Sequence, residues 1–539
     1  MIRLTELALP LDHAPEALPA AIAQRLGIPQ EDLLNIVVFK RSYDARKKNS
    51  EITFVYIVDV EVRDEAAVLA AAVNHTHIRP APDTNYYQVA SAPANLTDRP
   101  VIVGFGPCGL FAALILAQMG FRPIVLERGR NVRQRTQDTW ALWRKRQLTP
   151  ESNVQFGEGG AGLFSDGKLY SQIKDPKFYG RKVMQEFVQA GAPEEILYVS
   201  KPHIGTFRLT GVVAAMRKQI ESLGGEIRFE SRVVDFLTGD DGMEGVVLES
   251  GEQILSRHVV LALGHSSRDT FRQLHARGVF MEAKPFAIGF RIEHPQSQID
   301  KARLGKYAGH PALGAADYKL VHHAKNGRSV YSFCMCPGGT VVAATSETGR
   351  VVTNGMSQYS RNERNANAGI VVGISPEQDF PGGPLAGLAL QEALETQAYH
   401  LGGEDYSAPA QLVGDFIRRK SSEKLGDVIP SYKPGIRLGS LDSALPEYAI
   451  DAIREALPVF GRQIRGFDRD DAVLTGIESR TSSPVRLTRD KQSLQSLNTR
   501  GLYPAGEGAG YAGGILSAGV DGIKVAEAVA LAMTQGHKG

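Results

Sequence analysis

Alternating hydrophobic and polar positions predict a half-buried strand over residues 54–62, because successive side chains of a strand point to opposite faces. Phe54 and Tyr56 fall on one face, and Asp59 interrupts the other. Neighbouring patterns predict further strands and helices over residues 2–9, 15–26, 33–43 and 65–73. Residues 1–78 are therefore predicted to form a small α+β domain of the ferredoxin-like kind.

A proline-bearing stretch over residues 79–98 indicates a linker, and the pattern changes after it. The segments VIVGFG, PCGLFAALILAQMG and FRPIVLERG follow as a strand, a turn that opens a helix, and a second strand. Strands that are apolar throughout are typical of parallel sheets covered on both faces. Residues 99–284 are therefore predicted to begin a doubly wound α/β, or Rossmann-type, domain.

The middle of the chain contains no second strand, glycine turn and helix in succession. Residues 285–467 have a mixed, turn-rich pattern that predicts an α+β insertion, and residues 468–539 return to a strand and a long helix. We therefore predict one nucleotide-binding domain whose two parts, 99–284 and 468–539, are separated by a large substrate-binding or cap domain.

Bulk properties narrow the class of protein. The 539 residues carry 61 basic and 59 acidic groups, so no overall field favours nucleic acid or an anionic membrane. Residues 101–121 lack charge over a length that suits a membrane span, but glycines and a proline divide the run. Three cysteines and an amino terminus without a signal-peptide pattern favour the cytoplasm.

The spacing G-x-G-x-x-G occurs three times, so context must separate the matches. Only Gly104, Gly106 and Gly109 follow a strand, open a helix and precede an acidic residue that closes the next strand. These glycines permit a tight turn, close approach of a pyrophosphate, and helix packing. Glu127 is then placed to accept hydrogen bonds from adenosine ribose hydroxyls.

The other two matches have different contexts. Residues 153–169 form a dense glycine loop without a predicted helix, and such loops present backbone N–H groups at close range. Residues 501–529 lead from a glycine turn, which holds Glu507, into a helix. This turn and helix are predicted to hold the ribityl chain and pyrimidine edge of a flavin.

These segments, together with KRSYDARKK, KPFAIGFRIEHPQ, SFCMCPGG and GIESRTSSPVRL, resemble the bacterial FAD-dependent dehydrogenases of the glutathione-reductase-like and fumarate-reductase-like flavoprotein superfamily. The resemblance implies one extended FAD. Glu507 stands where many flavoproteins carry Asp. The implied cofactor-binding residues are Gly104, Gly106, Pro107, Cys108, Gly109, Glu127, Arg128, Gly160, Gly162, Leu163, Ser165, Asp166, Gly167, Lys168, Val233, Gly264, Gly506, Glu507, Gly514 and Ile515.

Flavin chemistry needs binding and electrostatics from the protein, so no catalytic triad or metal cluster is expected. Arg480 is a candidate to meet an anionic substrate, or alternatively a structural partner of Glu478. Cys334 and Cys336 are predicted on one face of a strand, either as a redox dithiol or as buried apolar groups. His203 is a candidate proton donor.

The leading hypothesis is an FAD-dependent oxidoreductase that passes hydride between flavin and a small-molecule substrate, with NADH or NADPH as an optional transient donor. A rival is a flavoprotein that docks on RNA or another macromolecule through its amino-terminal domain, where Lys40, Arg41, Arg46, Lys47 and Lys48 form a basic cluster. A second rival is a non-catalytic flavin sensor. Such a basic run is more often a solvated hairpin tip, so neither a nucleic-acid nor a membrane partner is favoured.

Overall fold

The structure is a computed structural model and describes residues 1–45 and 51–535. Arg46, Lys47 and Lys48 of the basic cluster lie outside the described residues. The amino-terminal elements are β1 (Ile2–Pro10), α1 (Ala17–Leu26), β2 (Leu33–Asp44), β3 (Thr53–Val62), α2 (Glu65–Ala71) and β4 (Ile78–Pro80). Their antiparallel sheet has the order β2-β3-β1-β4, so the chain adds a strand where the linker was predicted to begin.

The core of this amino-terminal unit follows the predicted alternation. Phe54 and Tyr56 are buried on the inner face of β3. Asp59 is buried as well, because its carboxylate accepts hydrogen bonds from Arg3 Nε and Nη2, both at 2.7 Å. A buried polar position therefore does not break the strand here, since a bidentate ion pair satisfies it.

The next segment contains short strands alternating with helices. Its elements are β5 (Val101–Val103), α3 (Pro107–Gln118), β6 (Ile124–Leu126), α4 (Val132–Lys145), α5 (Tyr179–Gln189), α6 (Thr206–Ser222), β7 (Glu226–Arg228), β8 (Val233–Gly239), β9 (Gly242–Leu248), β10 (Gln253–Leu255), β11 (Val259–Leu261), α7 (Arg268–Ala276) and β12 (Glu282–Ala283). The uncharged run is thus a strand, a turn and a helix, as its glycines predict. Within the described residues, no helix is long and apolar enough to cross a membrane.

A predominantly antiparallel unit follows. Its elements are β13 (Phe286–Pro295), α8 (Gln296–Leu304), β14 (Val321–His323), β15 (Ser329–Ala343), β16 (Thr353–Ser357), β17 (Asn365–Ile374), α9 (Pro376–Asp379), α10 (Ala386–Gly402), β18 (Ala408–Leu412), α11 (Val413–Ile417), β19 (Ile436–Leu438), α12 (Glu447–Gln463) and β20 (Val473–Glu478). The sheet order is β14-β15-β17-β13-β20-β18-β19, with β16 on β15. β20 belongs to this sheet although it follows residue 467, the predicted boundary.

The described part of the chain closes with β21 (Val485–Arg486), β22 (Leu502–Pro504) and α13 (Ile515–Gln535). β22 pairs in parallel with β11 and completes a five-stranded parallel sheet of order β22-β11-β5-β6-β7. From β5, the chain places β6 on one side and β11 on the other. The carboxyl ends of these strands therefore meet at a topological switch point, where open α/β sheets bind ligands.

Replacing Asp59 with Asn is expected to destabilise the amino-terminal unit by about 3–5 kcal/mol, because it leaves the buried Arg3 charge without its partner. Hydrogen exchange of β1 and β3 measures this local opening free energy. Arg63→Ala is the control, since the Arg63 side chain is 68% exposed in its pair with Asp32. Equal protection of β1 and β3 in Asp59→Asn and wild type contradicts the assignment.

Candidate functional site

A cavity of about 1190 Å³ opens at the switch point and extends under the antiparallel sheet. Its first walls are the turns that follow four parallel strands, β5, β6, β11 and β22. This volume exceeds the usual range for drug-sized ligands, about 300–1,000 Å³, and suits a longer cofactor. Of the residues predicted to bind a cofactor, those lining the cavity are Gly104, Gly106, Pro107, Cys108, Glu127, Arg128, Gly160, Gly162, Ser165, Asp166, Lys168, Val233, Gly264, Gly506, Glu507, Gly514 and Ile515.

The first glycine turn depends on close backbone contacts. A Cβ at Gly104, where φ is +101°, would lie 2.4 Å from the Ala262 carbonyl oxygen. A Cβ at Gly109 would lie 2.0 Å from the Gly104 oxygen, so Gly109 packs the turn and does not line the cavity. Gly106 caps α3 and faces Gly160, and a Cβ at Gly106 would lie 3.5 Å from the Gly160 Cα. The helix amino terminus thus faces open space, as an anion site requires.

Glu127 binds backbone N–H groups around this turn and also lines the cavity. Its Oε2 accepts the Phe105 N–H at 2.8 Å, and its Oε1 accepts the N–H groups of Gly129 and Gly157 at 2.8 and 2.9 Å. A carboxylate offers about four acceptor positions, so these three bonds leave about one. Glu127 therefore fixes three backbone segments and retains capacity for one ribose hydroxyl.

The Arg128 side chain, predicted to bind the adenosine, contacts several protein groups. Its guanidinium forms ion pairs with Glu151 at 2.7 Å and Asp269 at 2.9 Å. It also lies over the Phe156 ring, 4.1 Å from the centroid. Arg128 therefore joins the segments around it and lines the cavity as well.

The second glycine match forms a wall of the same cavity. Arg135 is fully buried on α4 and donates hydrogen bonds to the carbonyls of Asn153, Val154 and Glu158 at 2.7–2.8 Å. The loop then makes a short 3₁₀ turn at Ala161–Phe164. Two predicted cofactor residues of this loop, Leu163 and Gly167, do not line the cavity.

Both of those residues serve packing. Leu163 is wholly buried in the core, which agrees with its absence from the cavity surface. Gly167 has φ of +67°, and a Cβ there would lie 2.7 Å from the Gly205 nitrogen. Within residues 160–168, the loop therefore reaches the cavity through only part of its length, at Gly160, Ala161, Gly162, Ser165, Asp166 and Lys168.

The segment that contains the third glycine match forms another part of the cavity wall. The Gly506 N–H donates to Asp521 on α13 at 2.7 Å, and a Cβ at Gly506 would lie 2.8 Å from the Cys108 Cβ. Glu507 lies 3.2 Å from His265 Nδ1. Gly514 precedes the first residue of α13, so a second helix begins at the cavity wall.

At the far end of the cavity, Lys168 lies beside Cys334 and Asp166. The Lys168 ammonium donates to the Met335 carbonyl and lies 3.7 Å from the Asp166 carboxylate. Burial lowers the pKa of Lys168, but the sulfurs of Cys334 and Cys336 and the Asp166 carboxylate outweigh it and hold the pKa above its usual value. The cavity therefore contains a permanent cation.

The prediction that Arg480 meets an anionic substrate is wrong, although Arg480 lines the cavity. Its Nε and Nη2 donate to Glu395 at 2.9 and 2.7 Å, and its remaining donors are taken by protein side chains: Ser266, Ser346 and Glu347. A guanidinium has five N–H donors, so none is free for a ligand. The alternative pairing with Glu478 is also wrong, because Glu478 pairs with Arg291 at 2.6 Å.

His203 does not line the cavity among the described residues, so its candidacy as a proton donor there is wrong. Its Nε2 lies 2.9 Å from the Tyr359 carbonyl, and its ring stacks on Tyr359 at 5.4 Å. Burial and the nearby Arg361 lower the pKa of His203. The described residues contain no cluster of metal-ligating side chains.

Three cavity residues outside the predicted cofactor set contain polar atoms that are buried without a hydrogen-bond partner. They are Arg232 Nε, His265 Nε2 and Tyr318 OH. Arg232 adjoins Val233, His265 pairs with Glu507, and Tyr318 lies near Arg291 and Cys336. Unpaired buried polar atoms are rare, so their distribution along the cavity fits a long polar ligand such as FAD.

The amino-terminal unit contributes a further wall. Lys40, Ser42 and Tyr43 line the cavity from β2. Main-chain hydrogen bonds hold this edge in place, from Arg41 N–H to the Tyr198 carbonyl at 2.6 Å and from Ser200 N–H to the Arg41 carbonyl at 2.9 Å. Sequence patterns give no signal for this contact, because it joins segments far apart in the chain.

A protein of Clostridium beijerinckii described as an uncharacterized protein is 48% identical over 532 residues, which cover 98% of each chain. The present chain belongs to its family. In the present chain, residues 285–481 match the family model described as FAD-dependent protein, C-terminal domain-like. Residues 1–61 match a domain of unknown function, DUF8436.

Solved structures show more distant similarity. A mutant of the halogenase PltM in complex with FAD is 12% identical, with 82% of this chain and 71% of that chain covered at a TM-score of 0.39. Glycine oxidase from Geobacillus kaustophilus is 12% identical, with 80% and 95% covered at a TM-score of 0.35. At such scores these similarities say nothing about activity.

The match over residues 285–481 and the glycine turn of the parallel sheet together support an FAD-dependent flavoprotein fold. None of the relatives adds support for NADH or NADPH. Membership of the glutathione-reductase-like superfamily stays a prediction.

Replacing Arg135 with Met is expected to loosen residues 153–160, because it leaves buried carbonyls unpaired at about 1–3 kcal/mol each. Hydrogen exchange of this loop measures the change. Arg133→Met on the exposed face of α4 is the control. Unchanged loop protection in Arg135→Met contradicts the proposed anchoring.

Proposed function

We propose that the protein is an FAD-dependent oxidoreductase that transfers two electrons between the flavin and a small anionic molecule. The observation that supports it most is the continuity of one cavity from the glycine turn at Gly104 to Lys168 and Cys334 under the antiparallel sheet. Unpaired polar atoms lie along its length at Arg232, His265 and Tyr318, residues that suit a long polar cofactor.

The residues of the chain would hold FAD as follows. The amino terminus of α3 would face the pyrophosphate, Glu127 and Val233 would face the adenosine, and Gly514 with α13 would face the ribityl and ring system. Bound FAD supplies two-electron redox chemistry, and the protein supplies orientation and electrostatics. Lys168 holds positive charge at the end where the antiparallel sheet covers the cavity, and there it stabilises negative charge on the reduced ring or the substrate.

The charge distribution supports an anionic substrate. Ionisable residues of the cavity wall comprise Lys40, Arg128, Lys168, Lys201, Arg232, Arg303, Lys319 and Arg480 against Glu127, Asp166, Asp317 and Glu507. Five of these cations form ion pairs, namely Arg128, Lys168, Lys201, Arg232 and Arg480. Lys40, Arg303 and Lys319 make none within residues 1–45 and 51–535. A cavity with excess positive charge concentrates anions near its opening.

The position of the amino-terminal unit also favours a small substrate over RNA docking. Lys40 lies on the cavity wall, and the Arg41 guanidinium lies over the rings of Phe54 and Tyr198, at 4.9 and 5.3 Å. These two members of the basic cluster thus face the rest of the chain, which supports a role of this unit in completing the substrate site.

Gly106→Ala tests cofactor binding without loss of the fold. Its new methyl group has only an ordinary 3.5 Å contact, with Gly160 Cα, yet it occupies the approach of the pyrophosphate. We expect the Kd for FAD, measured by flavin fluorescence, to rise at least about tenfold, or about 1.4 kcal/mol. Gly211→Ala, whose Cβ contacts nothing within 4 Å, is the control.

FAD binding to Gly106→Ala with wild-type affinity contradicts the placement of the pyrophosphate. A wild-type protein that is colourless and takes up no added FAD contradicts the proposed function itself.

The Lys40→Gln, Lys319→Gln double variant tests the charge of the substrate. Carboxylates and phosphorylated compounds are screened anaerobically, with NADH and NADPH included, for a change in flavin absorption. For an anion that reacts, we expect KM to rise about tenfold, because the double variant removes attraction at the opening. Lys218→Gln, an exposed position on α6, should leave KM unchanged. A neutral preferred substrate would contradict this part of the proposal.

A further inference from the structure

Two thiols lie at the end of the cavity that the antiparallel sheet covers. Cys334 lines the cavity and is half-buried, and Cys336 is buried behind it. β15 departs from regular pairing here, with irregularities between Phe333 and Cys336 and between Cys336 and Gly339. Cys334 has φ of +41°, which is rare for a residue with a side chain. Backbone strain of this kind occurs preferentially at functional sites.

The irregular strand places the Cys336 thiol against the backbone of Cys334. The Cys336 Sγ donates to the Cys334 carbonyl at 3.3 Å. On a regular strand, residues two apart share a face but stand too far apart for the Cβ separation of about 3.5–4.5 Å that a disulfide needs. The irregular pairing around Cys336 and the positive φ of Cys334 depart from that regular geometry, as a bond between residues two apart would require.

Cationic groups surround this pair. Lys168 donates to the carbonyl of Met335, the residue between the two cysteines, and Arg291 Nη1 donates to the Cys334 carbonyl at 2.9 Å. The hydrogen bond from Cys336, with the charges of Lys168 and Arg291, lowers the pKa of the Cys334 thiol well below its usual value against the effect of burial. The pKa of Cys336 is raised by its partner sulfur and by burial.

Cys108 provides an internal comparison. It lies in the first turn of α3, and burial together with the Asp521 carboxylate raises the pKa of its thiol well above the usual value. The thiolate is the reactive form of cysteine, so Cys108 is expected to be inert. Cys108 therefore serves as the internal control for the other two cysteines of the chain.

We infer that Cys334 and Cys336 form a redox-active dithiol that exchanges two electrons with the flavin of the proposed function. In the oxidative direction, the two thiols lose two electrons and two protons as a sulfur–sulfur bond forms, and FAD takes up the electrons and protons to become FADH₂. The reverse step breaks the disulfide and restores FAD. The inference rests on FAD occupying the cavity, and Lys168 stabilises the thiolate in the reduced state.

The first test counts thiols in the full wild-type chain, without requiring flavin turnover. The protein is equilibrated in thiol–disulfide buffers of graded potential, alkylated under denaturing conditions and digested. We expect the peptide that contains Cys334 and Cys336 to lose both alkylation sites together and to lose two hydrogens in mass. Cys108 should stay fully alkylated across the series. Independent alkylation of Cys334 and Cys336 at every potential overturns the inference.

The second test measures electron transfer from the two thiols to the flavin. The FAD-loaded protein with its dithiol reduced and excess reductant removed is kept anaerobic, and flavin absorption is recorded until equilibrium. We expect absorption to fall while the disulfide appears, and both changes to be absent in Cys334→Ser and Cys336→Ser. Ser329→Ala on β15 is the control and should behave as wild type.

The outcomes separate the two proposals. Bound flavin whose absorption and redox state are independent of the thiols overturns the dithiol inference and leaves the proposed function standing. Failure to take up FAD overturns the proposed function, and the thiol count still decides whether the cysteines form a pair. If either serine variant fails to fold, the wild-type thiol count and absorption record remain decisive.

Discussion

Close approach of one backbone to another at glycine is the constraint on which the cavity depends. Gly104 fits against Ala262, where a Cβ would lie 2.4 Å from the carbonyl oxygen, and Gly160 fits against Gly106, where a Cβ on Gly160 would lie 2.7 Å from the Gly106 Cα. The buried charges of Glu127 and Arg135 then hold the same segments by hydrogen bonds to backbone groups. Three segments distant in sequence are thereby fixed around one space.

Local sequence patterns predict the elements that short-range interactions determine, and they miss contacts between residues far apart in the chain. The strand, glycine turn and helix from residue 101 onward form as expected, because apolar runs and glycine positions act over a few residues. The role of Arg480 was not predictable, since its partner Glu395 is 85 residues away and belongs to a helix whose position the pattern does not encode. The unpredicted contact of Arg41 with residues 198–200 is likewise a tertiary one.

The same distinction explains the cysteines. Alternation along β15 predicts thiols on one face, but irregular pairing with β17 and the positive φ of Cys334 change their geometry. Those departures arise where the strand meets Lys168 and Arg291 from other elements. The cavity therefore combines two kinds of wall: a glycine-rich end that a sequence pattern reveals, and a cationic, thiol-bearing end that appears only when the sheet packs over it.

The position of bound FAD tests this account most directly. A crystal structure of the chain grown with FAD measures it. The account predicts the pyrophosphate at the amino terminus of α3, the adenosine beside Glu127 and Val233, and the ring system beside Lys168 and Cys334. FAD bound outside the cavity, or with its ring system at Val233 and its adenosine at Cys334, would contradict the account.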